Sequence, residues 1–135
     1  MNNNQDKKEL VNEWLIRAKD DELNISAILK DRDGTPAHVC FTCQQMAEKY
    51  LKALLLFYSS DYPKTHSLAL LAELIQPYEN SILETIKDEA IILDPYYIEA
   101  RYPADIPLEI FTWSMAEKAY EAAVKIKNFV LNKIQ

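Results

Sequence analysis

Glycine occurs only once in the 135 residues of this chain, and cysteine only twice. Folds that are rich in β-hairpins need glycine in their tight turns, so the near absence of glycine argues against them. Charged residues make up 27% of the chain and are spread evenly, which argues against a disordered linker. With 49% hydrophobic residues, we expect one helical domain over residues 1 to 135, in which residues 1 to 6 are a flexible N-terminus.

Long apolar runs are also missing from the sequence. No segment approaches the roughly 18 to 20 residues of a membrane span, and the first ten residues lack the apolar core of a secretory signal. We therefore expect a cytoplasmic protein without membrane contact. The formal net charge of −6 disfavours non-specific binding to DNA, so nucleic-acid binding would need a local basic pocket.

Three segments, which become the first, second and last predicted helices, have apolar residues at steps of three and four, as amphipathic helices require. The third predicted helix is a nearly all-apolar run before Pro77, and the fourth begins at a capping box. The predicted helices cover about 7 to 30, 36 to 58, 67 to 75, 81 to 93 and 107 to 134, with a shorter helical turn around 98 to 101. Thr35 and Pro36 suit the start of the second helix, and Ser81 with Glu84 matches a capping box at the start of the fourth. The sequence therefore predicts an all-α fold.

The second predicted helix is apolar over more than half of its circumference. Its clearly polar side consists of Gln44, Gln45, Glu48, Lys49 and Lys52. Such a helix is expected at the centre of a bundle, packed either within its own chain alone or also against a second subunit.

Cys40 and Cys43 form a C-x-x-C pair, a spacing that is found in redox-active and metal-binding sites. A redox role needs a thiolate at a helix start, whereas Cys40 lies more than one turn inside its predicted helix. A zinc site would have to recruit His38 and His66, at a spacing that matches no familiar finger. We expect two buried small hydrophobic residues, and neither a metal nor a cofactor.

Arg32 and His38, which are separated by five residues, are the candidates for a catalytic pair. In RNA cleavage the histidine would act as acid or base toward a 2′-hydroxyl, and the arginine would face the phosphate. This chemistry needs a rigid surface, but a Gly-Thr-Pro corner lies between the two residues. The pair by itself therefore does not predict an enzyme.

His66 lies at a boundary between a loop and a helix, beside Lys64 and Thr65. In one interpretation His66 or Thr65 caps the helix; in the other, the helix N-terminus binds a small anion together with Lys64 and His66. Arg101 lies among several tyrosines, where it either pairs with a nearby carboxylate or helix C-terminus, or contacts a phosphate or base.

Three segments match a known pattern in order and spacing: CFTCQQMAEKYLKALLLFY, YPKTHSLALLAEL and YYIEARYP. The first resembles the second helix of HEPN domains (higher eukaryotes and prokaryotes nucleotide-binding) of the small type that accompanies minimal nucleotidyltransferases. The second is similar to their R/K-T-H-x-L-x-x-L segment, and the third to their Y-x-x-x-R-Y-P. The resemblance extends from about Trp14 to Phe129.

This resemblance implies an up-and-down bundle of four to five helices that commonly dimerises. It also implies operation beside a minimal nucleotidyltransferase, often as a toxin and antitoxin pair, with nucleotide or RNA as the ligand. Ribonuclease members of the wider superfamily carry arginine and, four to six residues later, histidine, late in the bundle. No histidine follows Arg101, so the resemblance favours a binding module over an enzyme. A metal-independent ribonuclease toxin and a purely structural dimer are the alternatives.

The resemblance also selects individual residues. Those at the family's recurrent positions are Glu48, Lys52, His66, Arg101, Tyr102 and Pro103. Our hypothesis is a basic patch that binds nucleotide or RNA and consists of Lys52, Lys64, His66 and Arg101. In this patch Glu48 would orient a cation and Tyr102 would stack on a base. The alternative is that Glu48, Lys52 and Arg101 form an internal ion network.

Overall fold

The structure is a computed structural model that describes residues 3 to 97 and 107 to 134. Within these ranges the chain forms five α-helices and no strand: α1 (Asn3–Asp31), α2 (Pro36–Ser59), α3 (Leu68–Ile75), α4 (Ile82–Leu93) and α5 (Trp113–Lys133). The predicted all-α helical bundle is confirmed. The turn that we predicted around residues 98 to 101 lies outside the described residues. None of the helices described is both long and apolar enough to cross a membrane.

The bundle is organised around α2, which packs against α1, α3 and α5. Sixteen of the 24 residues of α2 are buried, including three members of its polar side, Gln44, Glu48 and Lys52. α4 packs against α3 and α5 and so closes the bundle. The prediction of a central second helix is confirmed, and helices of the same chain are enough to bury it.

The corner between α1 and α2 has the predicted chemistry. Thr35 is extended (φ −126°, ψ 147°), and its side chain accepts a hydrogen bond from the backbone N–H of His38 at 3.2 Å, while Pro36 occupies the first turn of α2. Gly34 has φ +137°, which side-chain-bearing residues rarely adopt. The sole glycine therefore stands where the backbone requires one. At the other end of α1, residues 3 to 6 lie in its first turn, whereas we expected them to precede the helix.

Two helix starts differ from the prediction. Ser81 makes no capping bond to the N-terminus of α4, because its hydroxyl lies 3.3 Å from Glu79 Oε1 and donates to that carboxylate. α5 begins at Trp113 and not near 107, because Thr112 is its N-cap, with the side chain accepting from the N–H of Met115 at 3.1 Å. Residues 108 to 110 form a separate 3-10 turn.

Ser67 and Asp94 cap the N-terminus of α3, whereas one of our two interpretations placed Thr65 or His66 there. The side chain of Ser67 accepts from the N–H of Leu70 at 3.1 Å. The carboxylate of Asp94, just beyond the end of α4, accepts from the N–H groups of Leu68 at 2.6 Å and Ala69 at 3.2 Å. A carboxylate is favoured at this end of a helix by the helix dipole. Asp94 thereby ties the end of α4 to the start of α3.

We predict that Asp94→Ala lowers the free energy of unfolding by about 1 to 2 kcal/mol, the usual cost of losing a helix cap, because two N–H groups of α3 lose their acceptor. Urea denaturation would measure the change. Asp88→Ala is the matched control, since Asp88 is an exposed residue of α4, and it should change stability by less than about 0.5 kcal/mol. Equal effects of the two substitutions would contradict a capping role for Asp94.

Candidate functional site

Three of the predicted binding residues meet beside α2. The carboxylate of Glu48 accepts a hydrogen bond from the ammonium group of Lys52 at 2.9 Å. Nδ1 of His66, from the loop before α3, lies 3.1 Å from each oxygen of the same carboxylate. Glu48 thus binds one side chain of its own helix and one from a distant segment.

Gln44 completes this cluster. Its side-chain N–H groups donate to Glu48 Oε1 at 3.2 Å and to the backbone carbonyl of His66 at 3.0 Å. Gln44, Glu48 and Lys52 are spaced by four residues, which places them on one face of α2. We call Gln44, Glu48, Lys52 and His66 the Glu48 network.

The Glu48 network is largely internal, because only 8% of Glu48 and 5% of Lys52 is exposed. Burying two charges is costly unless hydrogen bonds compensate them, and Glu48 accepts from three side chains. The ammonium of Lys52 also lies over the rings of Trp14, at 5.7 Å, and Tyr62, at 5.8 Å. Both contacts add cation–π attraction. An internal ion network was one of our two hypotheses, and the structure shows its Glu48–Lys52 pair, while Arg101 lies outside the described residues.

Beside the Glu48 network is a pocket of about 410 Å³, which we call the α2 pocket. Its lining consists of Trp14, Gln44, Gln45, Glu48, Lys49, Lys52, His66, Tyr96 and Tyr97. The rings of His66 and Tyr97 are stacked, with centroids 4.1 Å apart and planes 13° apart. The volume is within the range of about 300 to 1,000 Å³ that is usual for small-molecule sites. A groove of about 570 Å³ between the start of α1 and Ile134 contains none of the predicted residues.

Of the predicted basic patch, the structure brings Lys52 and His66 together, around the carboxylate of Glu48. Lys64 is exposed and does not line the α2 pocket, while Arg101 and Tyr102 lie outside the described residues. The ion partner that Glu48 orients is the ammonium of Lys52.

Two polar atoms of the pocket lining are buried without a hydrogen-bond partner among the described residues. They are the side-chain oxygen of Gln44, which can accept, and the indole nitrogen of Trp14, which can donate. A buried polar atom left unpaired costs about 1 to 3 kcal/mol. The sequence indicated neither residue as part of a site, although Gln44 stands four residues before Glu48 on the polar side of α2. Nothing local distinguishes Trp14, which reaches the pocket from another helix.

The predicted anion site at the start of α3 is filled by the protein itself. The carboxylate of Asp94 and the hydroxyl of Ser67 accept from the first N–H groups of this helix. His66 is turned toward Glu48, and the hydroxyl of Thr65 accepts from the backbone N–H of Ser67 at 3.2 Å, just before the helix. Thr65 therefore caps a backbone N–H, as one interpretation proposed, but the N-cap of α3 itself is Ser67.

Arg32 and His38 are not bonded to each other among the residues described. The guanidinium of Arg32 binds Glu117 of α5 at 3.3 Å and lies 5.6 Å over the ring of Trp113. The side chain of His38 is exposed at the start of α2, and no hydrogen bond or ion pair joins it to Arg32 in the part of the chain that the structure describes. The structure thus gives Arg32 a structural contact with α5.

Cys40 and Cys43 are fully buried and free, as predicted. Burial raises the pKa of the Cys40 thiol to about 11, against the opposing effect of a hydrogen bond with Tyr96, and burial raises the pKa of Cys43 as well. Among the residues described, no three side chains of histidine, cysteine, aspartate or glutamate are grouped so that they could hold a metal ion.

Comparisons with known proteins agree with one another. The family model described as HEPN domain matches residues 11 to 134. The crystal structure of an archaeal HEPN homologue is similar to this chain, with a TM-score of 0.72 and 26% sequence identity, over 93% of this chain and 98% of that chain. No curated protein is similar enough to the chain to be matched.

We predict that Glu48→Gln lowers the free energy of unfolding by about 3 kcal/mol, because the ammonium of Lys52 would stay buried without a counter-charge. Urea denaturation at neutral pH would measure this change. Glu13→Gln is the matched control, because Glu13 forms an exposed pair with Arg17 at the same four-residue spacing. Its effect should stay below about 0.5 kcal/mol. A Glu48→Gln protein as stable as the control would show that the network contributes nothing to folding.

We also predict that neither cysteine of the folded protein reacts with a thiol reagent within minutes at about pH 8. At that pH a thiol with a pKa of about 11 is almost entirely protonated, and only the thiolate attacks. In denaturant both thiols should react at once, which is the internal control. Rapid reaction of the folded protein would contradict the buried assignment.

Proposed function

The chain belongs to the HEPN domain family, and from this premise we propose that it is a binding module for a nucleotide or RNA, with the ligand in the α2 pocket. The observation that carries the proposal is the composition of this pocket. Three aromatic rings, Trp14, Tyr96 and Tyr97, border a cluster of hydrogen-bonded polar side chains. Aromatic rings stack on unpaired bases, and a few fixed polar groups set the orientation of a ligand.

From family membership we further propose that the protein is a cytoplasmic homodimer that works beside a minimal nucleotidyltransferase, as in a toxin and antitoxin pair. Large apolar side chains on the outer faces of two helices support a role in association. They are Ile16 and Leu23 on α1, 55% and 61% exposed, and Ile91 on α4, 60% exposed. Ile16 and Leu23 are seven residues apart and so lie on one face of α1, and an exposed apolar patch commonly marks a contact with another protein.

A metal-independent ribonuclease is the second candidate, and one observation favours it. The ring of His66 is oriented by the carboxylate of Glu48, an arrangement that can position a histidine for acid and base chemistry. Against it stand the missing late histidine and the binding of Arg32 to Glu117, with no hydrogen bond to His38 among the described residues. We therefore rank binding above catalysis.

The test is incubation of the purified protein with labelled RNA and a panel of nucleotides. The wild type should bind, and His66→Gln and Arg101→Ala should each weaken binding by about tenfold, the effect of losing one good hydrogen bond or ion contact. His38→Gln and Arg32→Ala make the same chemical changes at the first helix corner and should retain wild-type affinity.

Each other outcome has a distinct meaning. If the wild type neither binds nor cleaves RNA or nucleotides, the proposal is wrong and a structural dimerisation domain remains. Cleavage that is lost in His66→Gln would establish the ribonuclease alternative at the α2 pocket. Cleavage that is lost instead in His38→Gln or Arg32→Ala would place the chemistry at the first helix corner.

A further inference from the structure

The lysines that line the α2 pocket already have partners. Lys52 is paired with Glu48 at 2.9 Å, and Lys49 is paired with Asp21 at 2.7 Å. A phosphate binds tightly where unpaired cationic side chains can replace its counterions. These two lysines are already neutralised by carboxylates. A phosphate in this pocket would also approach the negative charge of Glu48.

The start of α3, next to the pocket, offers no substitute for these cations. Helix N-termini bind phosphate through their first N–H groups, but those of Leu68 and Ala69 donate to the carboxylate of Asp94. Binding of a phosphate there would require displacing a carboxylate of the protein itself.

The unpaired atoms in the lining indicate a different ligand chemistry. The oxygen of Gln44 needs a donor, and the N–H of Trp14 needs an acceptor. An ionised phosphate presents acceptors only, so it can satisfy Trp14 but not Gln44. A nucleobase carries both donors and acceptors on its edges, so it offers a partner of each kind.

We propose that the α2 pocket takes the nucleobase of its ligand and leaves the phosphate in solvent, an inference that rests on the proposed function. The aromatic side chains Trp14, Tyr96 and Tyr97 supply surfaces on which a base stacks. Because its lysines are neutralised and its unpaired polar atoms need hydrogen bonds, the pocket favours an uncharged group over a charged one. The ligand class is a nucleoside unit, either free or within single-stranded RNA.

Titration of the protein with the four nucleosides, their 5′-monophosphates and their 5′-triphosphates tests this proposal, at salt concentrations of about 50 mM and about 200 mM. The preferred nucleoside should bind within about threefold of its phosphorylated forms, and its affinity should be nearly independent of salt. Tight binding of triphosphates, with no binding of nucleosides and a steep loss at high salt, would overturn the inference while the proposed function stands. No binding of any nucleoside, nucleotide or RNA would overturn both.

The two tryptophans of the chain provide a matched pair of variants. Trp14→Phe keeps an aromatic ring but removes the N–H, and should weaken nucleoside binding by about tenfold. Trp113→Phe makes the same change under Arg32 and should not alter affinity. Unchanged nucleoside affinity in a folded Trp14→Phe protein would contradict the inference.

A second measurement does not depend on how well Trp14→Phe folds. In Trp113→Phe the only remaining indole is Trp14, so its fluorescence reports directly on the pocket. We expect saturable quenching by the preferred nucleoside, at the same concentration that titration gives. Binding without any change in this fluorescence would place the base elsewhere.

Discussion

The carboxylate of Glu48 is the group on which the geometry around α2 depends. It lies on the most buried helix, where a negative charge survives only if it is surrounded by donors, and it recruits them from two places in the sequence. Lys52 and Gln44 come from the same helix, whereas His66 comes from the loop that leads into α3. The same requirement for compensation therefore fixes both the interior of the bundle and the position of this loop.

The loop in turn determines what the start of α3 can do. His66 is held against Glu48, and the first turn of α3 lies at the end of α4. There the carboxylate of Asp94 accepts hydrogen bonds from the first N–H groups of α3. Two carboxylates thus satisfy the polar groups that a basic ligand-binding patch would have used. As far as the described residues line it, the resulting pocket is a set of aromatic rings around paired charges.

The sequence alone predicted most of the helical architecture. Apolar periodicity is a local property, so it located α1, α2 and α5, and Thr35 with Pro36 marked the start of α2 correctly. The apolar run before Pro77 located α3, and the spacing of Ser81 and Glu84 located α4, although the capping bond of Ser81 does not form. The start of α5 was wrong because Pro107 and Thr112 are both plausible N-terminal residues, and only packing chooses between them. The failure at Ser81 has a similar cause, since its hydroxyl has a competing local acceptor in Glu79.

Within the site, spacing alone put Glu48 and Lys52 on one face of α2, and the family positions added His66. Neither could show that the charge of Lys52 is cancelled, because cancellation depends on burial and on contacts across the fold. Trp14 was missed for the same reason. The lining of the pocket comes from α1, from α2, from the loop before α3 and from Tyr96 and Tyr97 after α4. A ribosome-bound chain that has emerged only as far as the first two helices still lacks Tyr96 and Tyr97. The pocket is therefore complete only after α4 and the residues that follow it have been made and have folded onto the first two helices.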